Sequence, residues 1–228
     1  MSQTYFTPAT FAFLRDLANN NRRQWFNANR DRYEDHVKVP ALRFIEDFRP
    51  RLAKVSAHFR ADARPVGGSL FRIYRDVRFS KDKRPYMIHT GIQFRHAAAK
   101  DVHAPGFYLH LEPRNVFMGC GVWHPDGPSL QKIRSRIVDD PAAWKRTLRA
   151  KKFAGRFQLG GESLKRAPRG IDPEHALIED LKRKDFIAFT PLLQRDVTGT
   201  KLTATMDGLC RASTGFQRFL CNAVGVPF

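Results

Sequence analysis

A change of hydrophobic period at Gly67-Gly68 constrains the fold of this chain more than any other feature. Before it, apolar residues recur at helical spacing; after it, they alternate. From Leu70 to Phe79, residues Phe71, Ile73, Val77 and Phe79 share one face of an extended strand, and Arg72, Tyr74, Asp76 and Arg78 share the other. Arg75 falls on the apolar face, where a guanidinium needs a carboxylate partner or a place at the sheet margin. Ser80 to Pro85 reads as a turn and Tyr86 to Arg95 as the return strand. Gly106 to Glu112 and Asn115 to Trp123 form a second hairpin through Pro113-Arg114. Four strands in succession predict an antiparallel meander.

Helical patterns bracket this stretch. Thr7-Pro8 is an N-cap followed by proline at the first helical position, with Phe11, Leu14 and Leu17 inward. The Asn19-Asn20-Asn21 run ends that helix. Trp25, Tyr33 and Val37 mark a second stripe. Leu42, Ile45, Phe48 and Leu52 mark a third, in which Pro50 predicts a break or kink. Beyond the sheet, Ser129 caps a helix with Ile133 and Ile137 inward, and Asp140-Pro141 opens another around Trp144 and Leu148. Their outer faces carry Lys132, Arg134, Arg136, Lys145, Arg146 and Arg149. A short hairpin is expected about Gly160-Gly161. Asp172-Pro173 then caps a helix carrying Glu179–Arg183 and Asp180–Lys184 pairs at i, i+4. A strand over Phe186 to Leu193 and a terminal helix over Thr205 to Val224 complete the pattern. The fold class is therefore α+β: N-terminal helices, a central, mostly antiparallel sheet and C-terminal helices. No repeat, low-complexity tract or linker interrupts the chain, so a single domain over residues 1–228 is expected.

The net charge of +18 is concentrated. Residues 60–100 hold ten basic and three acidic groups, and residues 129–170 hold twelve and three. Such a one-sided field attracts polyanions or anionic substrates, nucleic acid among them. Cys120, Cys210 and Cys221 form no C-x-x-C pair and, being odd in number, no closed disulfide set; they read as free thiols of a cytoplasmic protein. Cys120 as a nucleophile lacks a local signature. No run approaches the ~20 apolar residues of a membrane span, and the start has no basic segment before an apolar block, so no signal peptide or membrane association is expected.

The densest cluster of chemistry is Arg72-Ile73-Tyr74-Arg75-Asp76-Val77-Arg78-Phe79-Ser80-Lys81-Asp82-Lys83-Arg84-Pro85-Tyr86. Arginine forks and lysine ammoniums suit phosphate or carboxylate groups, and Ser80 with the turn amides adds donors. Arg72, Tyr74, Arg78, Ser80, Lys81, Lys83 and Tyr86 are the candidate anion-binding residues, with Arg75, Asp76 and Asp82 in structural or orienting roles. Against this stands an internal ion-pair network that holds the fold. Six basic groups facing two acidic ones leave an excess that pairing within the motif does not absorb. This stretch resembles the signature of a bacterial and fungal family, the domain of unknown function 2461. The Trp25-Phe26 helix, the strand from Gly106 to Pro113 and the stretch from Leu164 to Gly170 are similar to further blocks of that family. The resemblance implies kinship of fold over nearly the whole chain and transfers no activity.

A second candidate patch joins His110 and Glu112, which share a strand face with Tyr108, to Arg166 and Arg169 beside the Asp172 cap. His89, His103, His110 and His124 lie in or near the expected sheet, but their spacing is no metal motif, so no metal is assigned. P-loop, G-x-G-x-x-G and G-x-S-x-G patterns are absent, and no cofactor is expected. Two functional readings follow. One is a basic module that binds nucleic acid or another polyanion through residues 72–84 and 132–152, with Tyr74, Tyr86 and Trp144 stacking on bases if exposed. The other is an enzyme acting on a small phosphate- or carboxylate-bearing substrate, held by Arg72, Arg78 and Lys83 while Asp76 or His110 moves a proton. Whether the protein is an enzyme, and its oligomeric state, stay open.

Overall fold

A computed structural model describes residues 3–98 and 104–228. Helices α1 (Pro8–Asn19), α2 (Arg23–Ala28) and α3 (Arg30–Tyr33) run through a π-helical turn (Glu34–Lys38) into α4 (Val39–Val55). After an irregular segment come β1 (Thr90–Arg95), β2 (Gly106–Glu112) and β3 (Asn115–Val122). Helices α5 (Gly127–Asp139), α6 (Pro141–Arg149) and α7 (Lys151–Ala154) follow, then β4 (Gln158–Gly160), α8 (Ile178–Leu181) and β5 (Phe186–Leu192). The chain closes with α9 (Gln194–Thr198), α10 (Leu202–Ala212) and α11 (Thr214–Val224). The sheet is antiparallel throughout, in the order β1-β2-β3-β5-β4. This is an α+β fold with helices before and after a central sheet.

Alternation places Phe107, Leu109 and Leu111 of β2 on one face with Ile92 and Phe94 of β1 and Met118, Cys120 and Val122 of β3. They form one core with Phe44, Phe48 and Leu52 of α4 and Met206, Phe216 and Leu220 of α10 and α11. All three cysteines are buried and unbridged, and burial pushes the Cys120 thiol up to about 12, so no nucleophilic thiolate forms there at neutral pH.

Several sequence expectations change. Helix α4 runs unbroken through Pro50, because Phe48 and Leu52 are sealed in the core on either side and their burial outweighs one missing backbone bond. The helix expected after Asp172 shrinks to α8, and its acids pair one residue closer, Glu179 with Lys182 and Asp180 with Arg183. Strand β4 pairs with β5 rather than across Gly160-Gly161. The terminal helix is split at Ser213.

The largest correction concerns the first hairpin. Between Leu70 and His89 there is no ladder, only isolated bridges at Leu70–Ile92 and Tyr74–Tyr86. Side chains have taken the backbone donors. The Oδ1 of Asp76 accepts the N–H of Arg78 at 3.2 Å, and that of Asp82 accepts the N–H of Arg84 at 3.0 Å. Such local bonds compete with strand pairing, and Pro85 contributes no N–H at all. The result is an irregular ribbon folded back on itself.

Candidate functional site

The ribbon owes its position to a second, smaller core, separate from the one under the sheet. Phe13, Leu14 and Leu17 of α1, Phe26 of α2, Tyr33 of α3 and Val37 of the π-helical turn pack with Ile73 and Tyr86 of the ribbon. The Tyr86 ring stacks on Phe26 at 4.2 Å between centroids. Its backbone is held by a carboxamide acting as a neighbouring strand: Asn21 Nδ2 donates to the Tyr86 carbonyl at 2.9 Å, and Asn21 Oδ1 accepts the Tyr86 N–H at 3.0 Å. The asparagine run that ends α1 thus also docks the ribbon.

Two Asp-x-Arg units shape the ribbon electrostatically. Asp76 grips the Arg78 guanidinium, with Nη2 2.7 Å from Oδ2, and this fork holds its carboxyl at about 2. Asp82 grips Arg84 in the same way and also receives Arg75 Nη1 at 2.7 Å, which drives its pKa far below the carboxylate range. Asp62 and Arg64 repeat the unit just upstream. These pairs take up Arg75, Arg78 and Arg84. Lys83 Nζ donates to the Val77 carbonyl at 3.1 Å, and among the described residues Arg72, Lys81 and Lys83 have no carboxylate partner within ion-pair distance. Internal pairing therefore accounts for part of the motif and leaves cations over.

Where α2 meets the ribbon there is a cavity of about 290 Å³ lined by Arg23, Asn27, Tyr74, Arg75, Val77, Pro85 and Tyr86. Of the sequence candidates it gathers Tyr74, Arg75 and Tyr86. Arg72, Arg78, Ser80, Lys81 and Lys83 lie on the ribbon and are not among the residues that line this cavity. Arg75, assigned an orienting role, forms part of the wall. Arg23 and Asn27 were missed, although they sit one turn apart in the helix already marked by Trp25-Phe26. Arg23 is exposed and, among the described residues, has no carboxylate in ion-pair range; it and Arg30 bias the Tyr86 phenol toward ionisation against the larger opposing effect of burial. Tyr86 and Trp144 are both buried, so neither ring is free to stack on a base, whereas Tyr74 is half exposed.

The histidine patch is a sheet-face network. The Tyr108 hydroxyl lies 3.0 Å from His110 Nδ1, and His110 Nε2 lies 3.2 Å from Glu112 Oε2; a proton on Nε2 donates to the carboxylate and lets Nδ1 accept from the phenol. His110 is sandwiched between His89 and Phe117, with centroids at 4.5 and 4.6 Å. Gly91, opposite His110 in β1, is required here because a Cβ would strike the Tyr108 hydroxyl. Arg166 and Arg169 are exposed on the 161–177 loop, and among the described residues no hydrogen bond or ion pair joins them to this network. His124, at φ +46°, places Nδ1 3.0 Å from the buried Asp185 carboxylate, which also accepts the backbone N–H groups of His124 and Glu162 and so ties two strand ends together. His103 lies outside the described residues, among which no group of three or more His, Cys, Asp or Glu side chains is arranged to hold a metal.

Burial depresses His89 from its ordinary 6.5 to about 4 and lowers His110 as well. In the folded protein His89 stays neutral while the unfolded chain takes up a proton below pH 6.5. Stability is thus complete above 6.5 and falls as pH drops toward 4. The full shift corresponds to about 3 kcal/mol at ~1.4 per unit, reduced to about 2 by partial exposure. Urea unfolding should show this loss between pH 7 and 4, and His89→Gln should remove most of it; an undiminished loss in the variant assigns the effect elsewhere.

Comparison with known proteins places the whole arrangement in one family. The family model described as conserved hypothetical protein, DUF2461, matches residues 9–219. The chain belongs to the DUF2461 family. No curated protein and no solved structure matches it. In this DUF2461 chain the matched span takes in the ribbon, the helices that hold it and the sheet. Among the described residues no helix is long and apolar enough to cross a membrane.

Proposed function

We propose that this DUF2461 protein binds an anion at the cavity between α2 and the ribbon, through a phosphate or carboxylate group. The observation that carries the reading is the pairing in one wall of Arg23, which has no carboxylate partner among the described residues, with Arg75, whose guanidinium is already aimed by Asp82. A guanidinium locked by a second carboxylate loses less freedom when it meets a ligand oxygen, and Asn27 adds a neutral donor. The half-exposed ring of Tyr74 suits a planar group attached to that anion. Binding is favoured over catalysis because the lining contains neither a carboxylate nor an imidazole, and Asp76 and His110, drawn as proton carriers, lie elsewhere.

Titration with pyrophosphate, followed through backbone amide chemical shifts, tests this. Shifts should cluster on residues 21–30 and 72–86. Shifts centred on α5 to α7, where Lys132, Arg146 and Lys152 are exposed, would move the anion site to the helices and end this reading.

A further inference from the structure

Alternation read from the sequence put Phe79 on the inner face of a strand. The structure leaves it 96% exposed. The reversal has a local cause. The Ser80 N–H donates to the Val77 carbonyl at 3.4 Å, closing a four-residue turn that carries Arg78 and Phe79 at its two central positions. The turn is braced twice, by Asp76 holding both the N–H and the guanidinium of Arg78, and by Lys83 on the Val77 carbonyl. The Arg78 guanidinium sits 5.8 Å from the Phe79 ring centroid. A fully exposed aromatic ring on a basic ribbon whose Arg72 and Lys81 have no carboxylate partner among the described residues has the two parts of a base-stacking platform: a π face for a base and charges for phosphates.

We infer that Phe79 stacks on an unpaired base of single-stranded nucleic acid whose backbone runs along Arg72 and Lys81. This rests on the anion-binding reading above, since a phosphate of the strand is the group the neighbouring cavity takes. Val77 lines that cavity, and Phe79 lies two residues beyond it, within about 7 Å of chain. A single strand is specified because duplex bases are stacked on each other and offer no free face. An anionic membrane fits the tip less well: one phenyl ring buries little apolar area, and Asp76 and Asp82 flank it.

The test uses the full chain, a fluorescein-labelled dT12 strand, its duplex with dA12, and vesicles containing phosphatidylglycerol, across a salt series. Phe79→Ala should weaken dT12 binding about tenfold while leaving the salt slope and pyrophosphate affinity unchanged. Phe79→Trp should bind as the parent does, with its indole quenched on binding. Replacing Arg72 and Lys81 with alanine should instead reduce the salt slope by about 2. The ring is exposed, so neither Phe79 variant should lose stability. Parental affinity in Phe79→Ala, equal affinity for the duplex, or a Phe79-dependent preference for vesicles overturns the inference while pyrophosphate binding survives. Loss of pyrophosphate and dT12 binding together in the parent instead removes the anion-binding reading beneath it.

Discussion

Phe26→Ala should cost the protein about 3–5 kcal/mol and release the ribbon from the helices. Phe26 is 2% exposed and occupies the middle of the small core, touching the rings of Tyr33, Tyr74 and Tyr86. Deleting a ring of this size leaves a cavity that flanking aromatic side chains refill only in part, which sets the upper end of that range. The small core is also the ribbon's anchor, because the ribbon has no ladder of its own. Loss of Phe26 should therefore appear twice: as a lower urea midpoint, and as faster hydrogen exchange at Arg75 and Met87, whose N–H groups donate to Pro85 and Ile73. A loss below about 1 kcal/mol with exchange unchanged would mean that the ribbon is held by its ion pairs alone.

Arg134→Ala should cost about 2–4 kcal/mol, far more than a surface arginine. Its Nε donates to the Leu181 carbonyl at 2.8 Å and its Nη2 to that of Arg183 at 3.0 Å, so this one side chain serves carbonyls at and just beyond the end of α8. The residue is 7% exposed, and burial lowers its pKa. Truncation leaves buried carbonyls without donors, which costs more than the bonds themselves contributed. Arg134→Lys should recover only part, since an ammonium lacks the planar fork that spans two acceptors. Arg146→Ala, on an exposed position of α6, should stay within about 0.5 kcal/mol. Equal, small losses for Arg134 and Arg146 in thermal unfolding would return Arg134 to the solvated face where its sequence neighbours place it.

These two residues mark what could be read from the sequence. Elements whose ends are set by local chemistry were legible. Pro8 opens α1, the Asp140 carboxylate caps α6 through Ala143 N–H, and Phe107, Leu109 and Leu111 recur at every second position of β2. Arg134 looked solvated because its partners lie 47 and 49 residues away, at and just beyond the end of α8, and nothing in its own helix points to them. The ribbon's alternation held at Ile73 and failed at Phe79, where a side-chain-braced turn overrode the strand pattern. For the site, the motif itself was visible, as was its surplus of charge. Arg23 and Asn27 were not, since nothing local in α2 shows that it faces a ribbon about fifty residues downstream.

The most direct test of the central claim is the pyrophosphate affinity of Arg23→Ala against that of the parent, with Arg146→Ala as the charge-matched control. Arg23 is exposed and has no carboxylate partner among the described residues, so its loss should leave the melting temperature unchanged. If the cavity at α2 is the anion site, removing one charge-assisted contact weakens binding about tenfold or more, while the control binds as the parent does. Equal affinities for all three proteins would show that the surplus charge attracts anions without a site and would contradict the account.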